Sequence, residues 1–210
     1  MEETNRMRED FADALSHGMI VSELAVLVAR ELGMDEEFCS KIALAGMLHD
    51  IGKLRLSEKL HLERERAMVV EKLKYVRMHA TFSRDIMLAE GIDEDITDMV
   101  YHHHENNDGS GYPSNISGED IPLGARIIRV CDVYTALTSN RSYREAFSEK
   151  VAVELMIEEA KHFDMKVFLA FLNVIHSEEY KKIYNIKNGS VEEMAEAYFR
   201  DNIESMFIEN

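Results

Sequence analysis

Helix-breaking residues are scarce in this chain. It holds two prolines and ten glycines in 210 residues, and no tryptophan. Proline stops a helix because it lacks the backbone N–H and clashes with the preceding turn, and glycine weakens one through backbone entropy. A chain so poor in both can run in long elements. Leu, Ala, Glu, Met and Lys are abundant, and these residues favour helix. Hydrophobic content of 46% supports a real core. An almost purely α-helical fold is predicted.

Hydrophobic spacing divides the chain. Glu2 to Asp13 is polar and reads as a lead-in helix, and from Ser16 onward Ile20, Leu24, Leu27, Val28 and Leu32 recur at helical intervals up to Gly33. Asp35, Glu36 and Glu37 mark a second N-terminus, leading to His49-Asp50-Ile51-Gly52-Lys53. A long helical pattern through Leu73, Val76 and His79 stops at Gly91, and Asp93 is the expected cap of a helix ending in His102-His103-His104. Residues 106–121 form the longest irregular stretch, rich in glycine. Asp120-Ile121-Pro122 opens another helix, Ser148 begins a further one, and Asp164 caps an apolar helix, Met165 to Ile175, expected to be buried. Asn188-Gly189 is a turn before a last amphipathic helix, Val191 to Phe207. With no repeat or low-complexity linker, one domain with a C-terminal helical extension is the simplest reading. The apolar face of that extension (Met194, Phe199, Ile203, Phe207) fits packing on its own core or on a second subunit, as in a homodimer.

The net charge of −16 argues against a nucleic-acid polymer or an anionic membrane surface as partner. It leaves room for an anionic substrate, because bound cations dominate a local field. Cys39 and Cys131 both fall in apolar helical patterns, which suits a reducing cytoplasm better than a disulfide framework. No apolar run reaches the roughly 18 residues that span a bilayer, so no membrane insertion is expected.

His17, His49, Asp50, His79, His103, His104 and Asp132 form the candidate ligand set. Apart from the two adjacent pairs, each sits on or at the end of a different predicted helix, the way a helical bundle builds an internal metal site. Imidazoles and carboxylates together suit Fe, Mn or Zn, and one shared carboxylate can bridge two ions. His61, His162 and His176 read as ordinary core or surface residues. Consecutive helical residues point about 100° apart, so His102 reads as a neighbour and not a ligand. Asp132 interrupts an apolar helix between Cys131 and Val133, which points to burial with a partner.

These motifs resemble a known family. His49-Asp50 with Gly52-Lys53, His103-His104-Glu105, and Asp108-Gly109-Ser110-Gly111-Tyr112-Pro113 are similar to the HD-GYP branch of the HD metal-dependent phosphohydrolases. So are Ile121 to Ile128, Asp132 to Ser139, and Arg141-Ser142-Tyr143-Arg144, and the resemblance covers about residues 14 to 176, flanked by 1–13 and by the extension 177–210. It implies an HD-domain helical bundle that hydrolyses cyclic dinucleotides, chiefly cyclic di-GMP, to the linear dinucleotide or GMP. It implies two divalent metal ions, Fe or Mn, on the candidate ligand set, with Asp50 bridging. Lys53 then matches a catalytic lysine near the scissile phosphate, and Gly111, Tyr112, Arg141 and Arg144 match positions on or near the dinucleotide.

The sequence departs from the family pattern in places. The lid segment after Lys53 lacks its proline and glycine, Asn106-Asn107 replace an Arg-Trp pair, and Thr135 stands for an aspartate. Asp13 stands where some members use a glutamate for a third metal. Two rival functions stay open: an HD-type phosphohydrolase acting on another nucleotide or phosphoester, and a non-catalytic module that binds a cyclic dinucleotide.

Overall fold

A computed structural model describes residues 2–54, 76–140 and 144–181, with side chains from residue 14 onward. The expectations for Asp13, for residues 55–75 (His61 among them), for Arg141 to Tyr143, and for the extension beyond residue 181 lie outside the described residues. Within them the chain is helical, with no β-strand.

Among the described residues seven α-helices are complete: α1 Glu2–Glu31, α2 Glu36–Leu48, α3 His79–Ala89, α4 Glu94–Tyr101, α5 Leu123–Leu137, α6 Glu149–Glu158 and α7 Met165–Ile175. The lead-in and the first amphipathic stretch are one continuous helix, because nothing between Asp13 and Ser16 breaks it. Gly33, at a φ of +78°, ends α1 in the left-handed conformation that a side chain disfavours. Asp35 then caps α2 by accepting from the Phe38 amide at 2.9 Å.

α1 and α2 form a hairpin whose backbones nearly touch. A methyl group on Gly18 would lie 2.5 Å from the Met47 carbonyl oxygen, and one on Gly46 would lie 2.8 Å from the Ser22 Cα. The Ser22 hydroxyl donates to the Ala43 carbonyl across the same seam at 2.7 Å. This close approach places His17 beside His49. α5 crosses α1, and α7 packs against both. The N-terminus of α5 is held close to α4, since a methyl on Gly124 would meet the Met99 sulfur at 2.3 Å.

The core joins Leu24, Ile42, Met87, Ile127, Ile128, Tyr134, Met156 and Phe171, all fully buried. Each such side chain contributes about 1.5–3 kcal/mol through removal of apolar surface from water. The Tyr180 hydroxyl meets that of Tyr134 at 2.9 Å and donates to Glu149 at 2.8 Å, so the first turn of the C-terminal extension docks on the body.

Several sequence expectations shift here. α3 begins at His79, after a turn at Met78, so the helical pattern expected to run unbroken from Val76 is interrupted. α4 ends at Tyr101, and His102 to His104 lie in the turn that follows, not on the helix. Asp93 occupies the cap position of α4, yet its side chain makes no cap hydrogen bond. Pro122 is itself the cap of α5, preceded by a 3₁₀ turn, Gly118–Asp120, within the long loop. Ser148 and Asp164 cap α6 and α7 as expected. α7 buries one face only: Val167, Phe168 and Phe171 are inside, while Met165 and Leu169 are about half exposed.

Candidate metal centre

The histidine at the end of α2 shows how the site is built. The last carbonyls of a helix have no intrahelical partner. His49 follows α2, and its ring Nδ1 donates to the Gly46 carbonyl three residues back at 2.8 Å. His79 does the same to Val76 at 2.5 Å, and His103 to Val100 at 2.5 Å. Each contact fixes the tautomer, with the proton on Nδ1 and the Nε2 lone pair free. The three rings are fully buried, so three bare nitrogens point into the interior.

These lone pairs converge. His79 Nε2 is 3.4 Å from His103 Nε2 and 3.0 Å from His104 Nε2. His17, His49 and Asp50 make a second group, and in both groups the three ligand atoms lie within 4.8 Å of one another. Asp50 joins the two: one carboxylate oxygen is 3.3 Å from His49 Nε2 and the other 3.3 Å from His79 Nε2. Asp132 completes the group of His17, His49 and Asp50, 2.9 Å from His17 and 3.8 Å from His49. All seven candidate ligands are therefore brought together.

The donor set fits divalent cations. Lone pairs facing each other at these distances repel unless a cation or proton lies among them. His49 Nε2 and Asp50 Oδ1 are buried with no hydrogen-bond partner, although buried polar atoms are nearly always satisfied. Protons are a poor substitute among His79, His103 and His104, whereas at His49 the Asp50 and Asp132 carboxylates outweigh burial and raise the pKa. Burial pushes His103 well below the ordinary histidine value, helped by its neighbours His104, His49 and His79. Burial likewise takes His104 down to about 3 and lowers His79. Burial opposes ionisation of Asp50 and Asp132, but adjacent histidines outweigh it and hold both carboxyls well below their usual range. Neutral imidazoles and ionised carboxylates are the forms that ligate Fe, Mn or Zn.

Neighbouring parts hold the cluster in register. The Gly52 amide donates to the Ser83 hydroxyl at 2.9 Å, and that hydroxyl donates to the His49 carbonyl at 2.9 Å. A methyl on Gly52 would meet the His79 carbonyl oxygen at 2.2 Å, so the turn after Asp50 and the start of α3 are in close contact. The Lys53 ammonium hydrogen-bonds Asp50 while its side chain is half exposed. His102 belongs to neither group; its ring lies against Tyr101 and its Nδ1 faces Glu105 at 3.7 Å.

The glycine-rich loop folds back over the histidine turn. A methyl on Gly111 would meet the Asn106 amide nitrogen at 2.3 Å and the His104 carbonyl oxygen at 2.5 Å, and the Tyr112 amide donates to that carbonyl at 3.2 Å. Tyr112 consequently stacks on His104 with centroids 4.7 Å apart, and the Arg77 guanidinium lies 5.2 Å from the same ring. Arg144 sits elsewhere: its guanidinium donates to the Ala136 and Leu137 carbonyls at the end of α5 and lies over Phe147. There it satisfies helix-end carbonyls and supports the loop that follows.

Three features escaped the sequence reading. Ser83 clamps the His49 turn. Glu105 is a buried carboxylate accepting from the Ser114 and Asn115 amides at 2.5 and 3.0 Å, which ties the far side of the loop to the histidine turn. Arg129 donates to Asn106 close to the centre. Only Arg129 left a signal, a cation in an apolar helix one turn before Asp132.

The chain is similar to known proteins. A family model described as an HD domain matches residues 3–167. The chain is 34% identical over 160 residues to the cyclic di-GMP phosphodiesterase PA4108 of Pseudomonas aeruginosa, covering 76% of this chain and 38% of that protein. It is also 34% identical over 154 residues to the 3'3'-cGAMP-specific phosphodiesterase 1 of Vibrio cholerae, covering 72% of this chain and 36% of that protein. The chain thus spans under two fifths of the length of these relatives. Among solved structures, Bd1817, an HDG"Y"P protein from Bdellovibrio bacteriovorus, matches with a TM-score of 0.62 at 18% identity, over 78% of this chain and 53% of that one. At that identity the likeness shows a shared fold.

Proposed function

Because the chain belongs to the HD domain family, we propose that it is a metal-dependent phosphodiesterase that hydrolyses cyclic di-GMP, or a closely related cyclic dinucleotide, to the linear dinucleotide or GMP. The observation that carries this reading is the pair of buried ligand groups joined by the two oxygens of Asp50. The substrate class is supported by the names of the relatives, cyclic di-GMP for one and 3'3'-cGAMP for another. The equal identity of those two matches supports a second reading alongside the first, in which 3'3'-cGAMP is the substrate.

In this reading His17, His49, Asp50 and Asp132 would hold one divalent ion, and His79, His103 and His104, with Asp50 between the groups, would hold a second, with Fe or Mn as the ions. The chemistry such ions supply is activation of water near neutral pH and neutralisation of charge on the phosphoryl group. The protein's own residues do the rest. The Nδ1 contacts to Gly46, Val76 and Val100 keep three imidazoles in the ligating tautomer. Lys53, half exposed beside Asp50, donates to the phosphate or to the leaving oxygen. Tyr112, set in place by Gly111, lines the substrate side at His104, and Arg141 contributes a guanidinium matched to phosphate oxygens. Arg144 takes part through the loop it supports. Residues 14–176 form the catalytic domain, and Tyr180 docks the start of the segment that follows on it. Among the described residues no helix is long and apolar enough to cross a membrane. The free, buried thiols of Cys39 and Cys131 fit a cytoplasmic setting.

The test is elemental analysis of anaerobically purified protein coupled to a cyclic di-GMP hydrolysis assay. Metal-dependent release of linear dinucleotide, abolished in Asp50→Ala together with metal binding, is the expected result. Metal-loaded protein that leaves cyclic di-GMP and 3'3'-cGAMP intact while cleaving other phosphoesters would overturn the substrate assignment.

A further inference from the structure

We infer that Arg129 is a substrate-binding residue, which presents an un-neutralised guanidinium to a phosphodiester anion on the His104–Tyr112 side of the centre, and that Asn106 is the residue that positions it. The inference rests on the phosphodiesterase reading above and names a contact within that site.

Arg129 lies on α5 three residues before Asp132, and residues three apart share a helix face. It therefore faces the centre from the same side as a candidate ligand. Its Nε and Nη2 donate to one atom, Asn106 Oδ1, at 3.1 and 2.9 Å. The orientation of that amide is fixed independently, because Asn106 Nδ2 donates to the Ser110 hydroxyl at 2.9 Å, and Ser110 donates to Asp108 at 2.5 Å. A relay from the glycine-rich loop thus aims the carbonyl oxygen at Arg129.

The nature of the partner is informative. A carboxylate in place of Asn106 would hold the guanidinium equally well and cancel its charge. The neutral amide holds it and leaves the charge in place. No contact ion pair of Arg129 exists among the described residues; the side chain is partly buried, and burial lowers its pKa from the ordinary value against the longer-range pull of Asp132, itself a candidate metal ligand. An unpaired charge taken out of water costs free energy unless a counterion arrives. Two of the five guanidinium N–H groups are used on Asn106, so three remain for a ligand. Such a fork matches the non-bridging oxygens of a phosphodiester. The charge of Arg129 is felt at His104 and at Tyr112, and Arg77 approaches the Tyr112 ring as a second cation. In a chain of net charge −16, two guanidinium groups whose charges act on the Tyr112 side of the centre make a local anion-binding spot.

The experiment measures KM and kcat of the metal-loaded protein with cyclic di-GMP and with bis(4-nitrophenyl) phosphate, with metal content determined on the same samples. Arg129→Gln is expected to raise KM for both substrates by about tenfold to a hundredfold, the usual loss for a hydrogen-bonded charge, with metal content unchanged. Arg129→Lys should recover part of that loss. Asn106→Asp keeps an acceptor for Arg129, although it gives up the donor to Ser110, and should raise KM in the same direction by neutralising the guanidinium. KM values within twofold of the parent in Arg129→Gln and Asn106→Asp would overturn the inference. So would loss of metal in both variants, which would assign the pair a purely supporting role. If the parent protein leaves cyclic di-GMP intact but cleaves bis(4-nitrophenyl) phosphate, the cyclic-dinucleotide reading fails, while the Arg129 inference stands or falls on the simpler diester.

Discussion

Replacing Gly52 by alanine isolates the contact that holds the two halves of the centre together. The added methyl would lie 2.2 Å from the His79 carbonyl oxygen, 2.5 Å from the Ser83 amide nitrogen and 2.9 Å from the Ser83 hydroxyl. Two of these are backbone atoms, so no side-chain rotation relieves the overlap, and the turn after Asp50 must move away from α3. Overpacking of this kind costs about 1–3 kcal/mol. The same movement strains the Gly52–Ser83 hydrogen bond, worth about 0.5–1.5 kcal/mol. The sum is a destabilisation of about 1.5–4.5 kcal/mol. Because His79 belongs to one ligand group and Asp50 joins both, metal affinity should fall as well, by the roughly tenfold to hundredfold typical of disturbed outer-shell partners. Urea denaturation and competition against a chelator read the two effects. Gly91→Ala is the control: it has a φ of +76° and nothing within 4 Å of an added methyl, so it costs only left-handed strain, about 1–2 kcal/mol. Its metal affinity should match the parent. A Gly52→Ala protein with stability within about 0.5 kcal/mol of the parent and unaltered metal affinity would refute the reasoning.

Two further outcomes follow from the same geometry. In the metal-free protein, burial places His79, His103 and His104 below the unfolded value near 6.5. As pH falls through that value the unfolded chain takes up protons first, so the stability these groups contribute is complete above about pH 6.5 and drains below it, by at most about 1.4 kcal/mol per pH unit for each histidine. His49 is shifted the other way, since Asp50 and Asp132 outweigh its burial; its contribution is present at low pH and lost as pH rises, which offsets one of the three. The urea midpoint of metal-free protein should be lower at pH 5.5 than at pH 7.5, and a midpoint that is unchanged or higher would contradict this account. Glu105→Ala leaves the Ser114 and Asn115 amides without their acceptor and should cost about 1–3 kcal/mol while raising KM, read by denaturation and steady-state kinetics. An Ala variant as stable as the parent would show that the loop is held by other contacts.

The sequence by itself determined the helical class and several helix ends. The scarcity of Pro and Gly, the left-handed Gly33, and the caps Asp35, Ser148 and Asp164 act over one turn of chain, so they are legible without knowing what packs where. It also named the seven residues that the structure gathers, because imidazole and carboxylate types on or at the ends of separate helices are a local pattern. The extent of α4 was misjudged. Spacing alone continued the helix through the histidines, whereas the chain turns after Tyr101 so that His103 and His104 face one centre while His102 faces Glu105.

Tertiary structure decided the rest. Whether two helices approach closely enough at Gly18 and Gly46 to bring His17 beside His49 depends on what the whole core permits. The same holds for the role of a charged residue. Arg144 matched a substrate position in the sequence pattern, yet its guanidinium satisfies carbonyls at the end of α5. Arg129 matched nothing and stands beside the centre, held by the Asn106 that departs from the family pattern. Local patterns fix residue types and helix ends; the direction in which a long side chain is aimed is set by partners far away in the chain, and those exist only once the helices have packed.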